Sequence, residues 1–184
     1  DYGGSEYQIF GKDLYEIGRE SVISPYCNGI LHYDEDTLDP EFNVTEDGPW
    51  KLWCHRDVHG KPLSNGQYVV GCDIAAGLGG SYSSNSVCVV LDRVTNEQVA
   101  EFATNTMRPE VFADLVISAC KWFGDAYLIW EMNGPPGGAF GRQVLDRFYP
   151  NIYFREAEGR SFKKKTKNPG WFSNDKNKLA VLSK

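Results

Sequence analysis

A chain of 184 residues, 41% hydrophobic and 14% aromatic, is long enough for one well-buried domain with an appendage and short for two, and it excludes disordered and fibrous classes. No apolar run approaches the ~20 residues that cross a bilayer, and the first residues lack the basic-then-apolar pattern of an export signal. Five scattered cysteines with no C-x-x-C spacing (Cys27, Cys54, Cys72, Cys88, Cys120) argue against a disulfide framework or zinc site and fit a reducing cytoplasm.

The net charge of −6 argues against indiscriminate nucleic-acid binding, but it is unevenly spread. Residues 141–184 hold 11 Lys+Arg and 4 Asp+Glu, a local +7, which leaves −13 for residues 1–140. An acidic body with a basic C-terminal third suits a protein that gathers carboxylates around cations and grips a polyanion elsewhere. A solvated basic tail is the plainer alternative.

Residues 1–45 are rich in Gly, Asp, Glu and Tyr, and His32–Pro40 shows neither helical nor strand period. This stretch reads as a linker or the remnant of a preceding domain, with one helical turn around Lys12–Arg19. From Trp50 the pattern changes: Lys51–Cys54 reads as a short strand and Gly60–Gly66 as a turn-rich connection. Gln67–Ala75 is nearly continuous apolar sequence, expected of a central strand covered on both faces, with Asp73 near its end. Gly77–Asn85 is a turn. Ser86–Leu91 and Gln98–Thr104 are two β-rich runs joined through 92–97 as a hairpin, so that three strands form a meander.

Pro109 suits the first turn of a helix whose Val111, Phe112, Leu115, Val116, Ala119 and Trp122 or Phe123 share one face, and Gly124 closes it. Ala126–Trp130 is a further buried strand, ended by Glu131. Residues 139–148 read as a second helix, Asn151–Arg155 as a fifth strand, and Asn174–Lys184 as the start of a third helix. The predicted order is β-β-β-α-β-α-β-α, a mixed five-stranded α/β sheet flanked by helices.

In open α/β sheets, sites gather at the carboxyl ends of strands. A right-handed crossover through the Pro109 helix would place strand 126–130 parallel to strand 67–74, bringing together Asp73 and Glu131, 58 positions apart. Neighbouring carboxylates are costly unless protonated or bound to cations, and an oxygen-only pair suits Mg2+ or Mn2+. Two such ions about 4 Å apart can activate water and stabilise the leaving oxygen of a phosphodiester. The plainer alternative is that Asp73 caps a turn and Glu131 a helix.

The string as a whole resembles the nuclease domain of viral and phage terminase large subunits, the motors that package DNA. Its anchors are Tyr68-Val-Val-Gly-Cys-Asp-Ile-Ala-Ala-Gly77, similar to the family's aspartate strand and small-residue turn, and Ala126-Tyr-Leu-Ile-Trp-Glu-Met-Asn-Gly134, similar to its strand ending in Glu-x-Asn. Between and beyond them, Val94–Ala100, Arg108–Ala113 and Gly170-Trp171 resemble its hairpin, helix entry and later glycine-tryptophan element. The likeness spans about Trp50–Lys184. It implies a ribonuclease H-like fold and a two-metal endonuclease using Mg2+ or Mn2+, with Asp73 and Glu131 as catalytic metal ligands.

It further implies double-stranded DNA as substrate, and the portal protein, the terminase small subunit and an ATPase domain of the same full-length chain as partners. The setting is the host cytoplasm at the viral procapsid, neither exported nor in a membrane. On this reading 1–45 is the linker or ATPase remnant and 46–184 the nuclease domain. The chain departs from the family where a further acid often follows the first glycine turn, since Ser81, Ser83 and Ser84 stand there. The family's third carboxylate falls beyond Lys184, so the chain is expected to be a piece lacking the motor before it and part of the metal site after it; Asp175, at a helix start, is a cap.

Gly134-Pro-Pro-Gly-Gly138 reads as a strand-to-helix connection, with a mobile DNA-admitting loop as the alternative. Asn133 either orients Glu131 or a water, or stabilises the turn. Lys163, Lys164, Lys165 and Lys167, with Arg155 and Arg160, are candidate phosphate contacts or a solvated loop. His32, His55 and His59 are assigned no metal role. Competing classes are a resolvase or transposase of the same fold, an actin-like or sugar-kinase ATPase, and a catalytically idle binding module. The ATPase requires glycine two positions after the aspartate, where this chain has Ala75.

Overall fold

The computed structural model describes residues 22–63, 67–156 and 165–174, together with Gly18 and Lys178. Its centre is the expected meander. β4 (Tyr68–Asp73), β5 (Ser86–Asp92) and β6 (Gln98–Thr104) are antiparallel neighbours. The β5–β6 turn is made by Asp92, whose carboxylate accepts the Val94 amide at 2.7 Å, and by Asn96 in the left-handed region at φ 60°. Alternation sets the faces: Tyr68, Val70 and Cys72 of β4 are buried, as are Ser86, Cys88 and Val90 of β5, whereas Val69, Gly71, Val87 and Val89 are half-buried.

Helix α1 (Pro109–Trp122) begins with proline in its first turn, and Gly124 follows it at φ +68°. It presents Phe112, Leu115, Val116 and Ala119 to the buried sheet face, with Phe112 stacked 6.1 Å from Phe102. Val111, expected on that face, is exposed, because Ala113 and Ile117 widen the buried stripe on its other side. Then β7 (Tyr127–Trp130) returns parallel to β4. Helix α2 (Gly134–Asp146) lies beside α1, joined to it by Arg147 and Asp114, which pair at 2.8 Å.

Among the described residues the sheet has seven strands rather than five, in the order β2-β1-β3-β6-β5-β4-β7, and of its strand pairs only β4–β7 is parallel. The extra strands β1 (Cys27–Tyr33) and β2 (Pro40–Val44) come from the stretch read as a linker, and β3 (Trp50–Leu52) attaches them to β6. The aperiodic His32–Pro40 is largely their turn. There Asp34 accepts the amides of Asp36 and Thr37 and the Thr37 hydroxyl, which hold its carboxyl below the usual carboxylate range. β2 is fastened to the core by Phe42, stacked 4.6 Å from Trp122.

Downstream, the expected fifth strand 151–155 makes only a single parallel bridge, Ile152 to Leu128. The chain then forms β8 (Phe154–Glu156), which pairs with β9 (Lys165–Pro169) in a separate two-stranded sheet. The second helix starts at Gly134 rather than 139, so Gly134–Gly138 is its first turn, neither connection nor loop. Of the expected third helix only Asn174 and Lys178 are described, and the Lys178 amide donates to Asn174 O at 2.9 Å. Of the helical turn expected at 12–19 only Gly18 is described. Among the described residues no helix is long and apolar enough to cross a membrane.

Candidate active site

The parallel register of β4 and β7 pairs Val69 with Tyr127, Val70 with Leu128, Gly71 with Ile129 and Cys72 with Trp130. One step further, Asp73 ends β4 beside Glu131, whose amide donates to Cys72 O at 2.9 Å. Cys72 and Trp130 point into the core, so their successors emerge on the opposite face, away from α1 and α2. Two carboxylates thus sit one strand apart, at the about 4.8 Å spacing of neighbouring strands, on one face and at the carboxyl ends of both strands.

On that face the strand residues Val69, Gly71, Val87 and Val89 are half-buried, and no described helix covers them. Both described helices pack on the other side, where Trp130, Phe112 and Phe140 meet. Beneath Asp73, Cys72 lies directly across from Cys88, and burial first, then Cys88, pushes the Cys72 thiol well up. Such thiols are inert, which leaves the carboxylates as the reactive groups here.

Neither Asp73 nor Glu131 forms an ion pair or side-chain hydrogen bond among the described residues. Two uncompensated carboxylates held side by side by backbone register fit a hard divalent cation. Among the described residues no third His, Cys, Asp or Glu joins them in a group that could hold a metal.

The chain after Glu131 is locked by contacts that the sequence did not reveal. Trp171 bridges Glu131 in parallel, its amide donating to Trp130 O at 2.8 Å while its carbonyl accepts the Met132 amide at 2.7 Å. Asn133 Nδ2 donates to Ser173 O, and its Oδ1 accepts the Ser173 amide, both at 2.7 Å. Its amide is therefore spent on the 171–173 segment rather than on Glu131. Gly170, at φ +71°, lies against the Trp130 indole, where a Cβ would come within 2.9 Å. The Gly170-Trp171 element is thus a third rail beside β7. Replacing Asn133 by Ala should cost about 2 kcal/mol, since both partners on Ser173 lose their bonds, and lower the melting temperature by ~5 °C. An unchanged melting temperature with lost manganese binding would instead move Asn133 to the metal.

The basic candidates divide. Arg155 is half-buried, its Nε donating to Gly170 O at 3.0 Å and its guanidinium 5.2 Å from the Phe172 ring centroid. Lys167 is exposed on β9, to which Lys165 also belongs. Arg160, Lys163, Lys164 and Asp175 lie outside the described residues. His55 stacks on Tyr26 at 4.9 Å.

No protein-family model and no curated protein matches the sequence. Among solved structures the chain is similar to the large terminase nuclease from thermophilic phage G20c, at 16% identity and TM-score 0.42 over 56% of this chain and 48% of that one. The same nuclease with bound magnesium gives 18% and 0.43, over 58% and 50%. With bound zinc it gives 15% and 0.43, over 57% and 54%. The matched region spans about half the length of those chains.

Proposed function

We propose that this chain is the metal-dependent endonuclease domain of a terminase large subunit, cutting concatemeric viral DNA as genomes are packaged. The observation that carries the chemistry is the register that sets Asp73 beside Glu131 on one sheet face, with no cationic partner among the described residues. The terminase assignment comes from the ordered motifs between Tyr68 and Trp171. Asp73 and Glu131 are the residues that would hold Mg2+ or Mn2+, as two ions. When held there, such ions supply an activated water and neutralise charge at the departing oxygen. The strands fix the separation of the two carboxylates, and the Asn133–Ser173 clamp fixes the chain that leaves Glu131. Double-stranded DNA is the substrate; the portal, the small subunit and an ATPase domain of the same full-length chain are the partners, at the procapsid in the host cytoplasm.

An ATPase of the actin-like kind is disfavoured by the turn after Asp73. The Ala75 amide, which would have to face phosphate, already donates to Ser86 Oγ at 2.9 Å. The nuclease reading is tested by titrating the chain with manganese while following nicking of supercoiled plasmid. Binding and nicking should rise together, and nicking that persists in chelator would sink it.

The basic third is the proposed phosphate grip: Arg155, Arg160, Lys163, Lys164, Lys165 and Lys167. Replacing Lys163, Lys164 and Lys165 by Ala should flatten the slope of log affinity against log salt by up to about three, because each phosphate contact releases counterion. An unchanged slope would make the cluster a solvated loop.

A further inference from the structure

The loop that leaves Asp73 holds two large apolar side chains in solvent. Residues 74–85, Ile-Ala-Ala-Gly-Leu-Gly-Gly-Ser-Tyr-Ser-Ser-Asn, carry no charged side chain in a chain with 25 acidic ones. Leu78 is 85% exposed and Tyr82 is 104% exposed. One exposed apolar residue needs no explanation, but two on a short loop beside a candidate active site do.

The backbone beneath them is held in place. The Gly79 amide donates to Asn105 O at 2.8 Å, Asn105 Nδ2 returns a bond to Gly80 O at 3.2 Å, and the Ser83 amide closes on Gly80 O at 3.2 Å. Gly77, at φ +67°, sits so close to the turn before α1 that a Cβ would lie 2.0 Å from Met107 O. The loop is therefore anchored to the β6–α1 turn along its first half, and its tip side chains are presented from a fixed base. Leu78 is five residues beyond Asp73, and Tyr82 is five residues before Val87, the cross-strand partner of Asp73. At no more than ~3.5 Å per residue, Leu78 lies within about 18 Å of Asp73, and Tyr82, with the cross-strand step of ~5 Å added, within about 23 Å, or about five and seven base steps of a duplex.

We propose that Leu78 and Tyr82 are the nucleobase contacts of this site, an assignment that rests on the nuclease reading. With a phosphodiester held at Asp73 and Glu131, Tyr82 stacks on a base loosened beside it and Leu78 wedges against the adjoining step. A nucleic acid fits the tip better than a protein does. The loop leads directly out of Asp73, its lack of carboxylates spares a polyanion further repulsion, and Ser81, Ser83 and Ser84 offer hydroxyl donors to phosphate oxygens. Stacking also gives a grip that does not depend on charge, in the part of the chain that carries −13.

The experiment measures binding of the full chain to a duplex carrying 2-aminopurine, with calcium replacing magnesium, and KM and kcat for cutting in magnesium. Tyr82→Ala and Leu78→Ala should each weaken binding about tenfold, with the salt slope unchanged, and should raise KM more than they lower kcat. Both should abolish the fluorescence change of the unstacked base. Tyr82→Phe and Tyr82→Trp should restore binding, because stacking needs the ring and not the hydroxyl. Unchanged affinity and fluorescence in the Ala variants would overturn the proposal and give the tip to a protein partner. A Phe variant as weak as Ala would overturn it in favour of a hydroxyl bond. Full-length protein that binds the duplex and never cuts it would overturn the nuclease reading while these binding data still judge the tip; protein that binds no duplex overturns both.

Discussion

Asp73→Asn in the full-length protein should abolish nicking of supercoiled plasmid while leaving the melting temperature unchanged or slightly raised. The two effects have one cause. Asp73 and Glu131 stand one strand apart with no described cation near either, so in the metal-free chain their charges only repel. Neutralising one removes that repulsion and breaks no hydrogen bond or ion pair among the described residues. In the metal-loaded state the same change deletes half of the anionic ligand charge described at the site. Charge stabilisation by bound metal is worth several kcal/mol in the transition state, so cleavage should fall by at least about a hundredfold. Glu131→Gln should do the same, because the register gives it the same neighbour. Plasmid nicking, manganese calorimetry and thermal denaturation on the two variants check all three parts. A variant that cuts at the wild-type rate, or one that melts several degrees lower, would remove its carboxylate from the site.

The carboxylate pair was legible because every step that creates it is local. Asp92 and Asn96 announce the hairpin, Pro109 and Gly124 bracket α1, and the apolar runs before Asp73 and Glu131 mark buried strands; the crossover rule then makes those strands neighbours. What stayed hidden depends on partners distant in sequence. In β1 the alternation is masked, because a glycine, Gly29, takes a buried position while Ile30 is exposed. Gly29 is needed there: a Cβ would come within 2.2 Å of the Phe42 ring on β2. The Asn133–Ser173 clamp joins residues 40 apart, and nothing around either announces the other. Likewise Gly134-Pro-Pro-Gly-Gly138 has the composition of a breaker, and helical propensity alone would leave it unfolded. Packing against α1 and the Trp130 ring reverses that, since tertiary contact rather than propensity supplies most of a helix's stability.

That packing gives opposite signs to two adjacent substitutions. Gly137→Ala should destabilise the chain and Gly138→Ala should stabilise it. In an unconstrained helix, alanine in place of glycine gains roughly 0.5–1 kcal/mol, because glycine loses more backbone freedom on folding. Gly138 has nothing within 4 Å of the place its Cβ would occupy, so it should show that gain, about 2–3 °C in melting temperature. At Gly137 the same Cβ would fall 2.4 Å from Glu131 O and 2.9 Å from the Met132 carbonyl carbon, both backbone atoms that no rotamer change can move. The first turn of α2 must then lift from β7, and overpacking of this kind costs about 1–3 kcal/mol against the propensity gain. Gly141, one turn on, extends the same constraint along the helix, since a Cβ there would come within 2.9 Å of the Trp130 indole. Because the displaced atom is the carbonyl of Glu131, Gly137→Ala should also weaken manganese binding and slow nicking, whereas Gly138→Ala should leave both near wild type. Thermal denaturation of the two single variants decides it: equal shifts of the same sign would show that α2 does not press on the strand that carries Glu131.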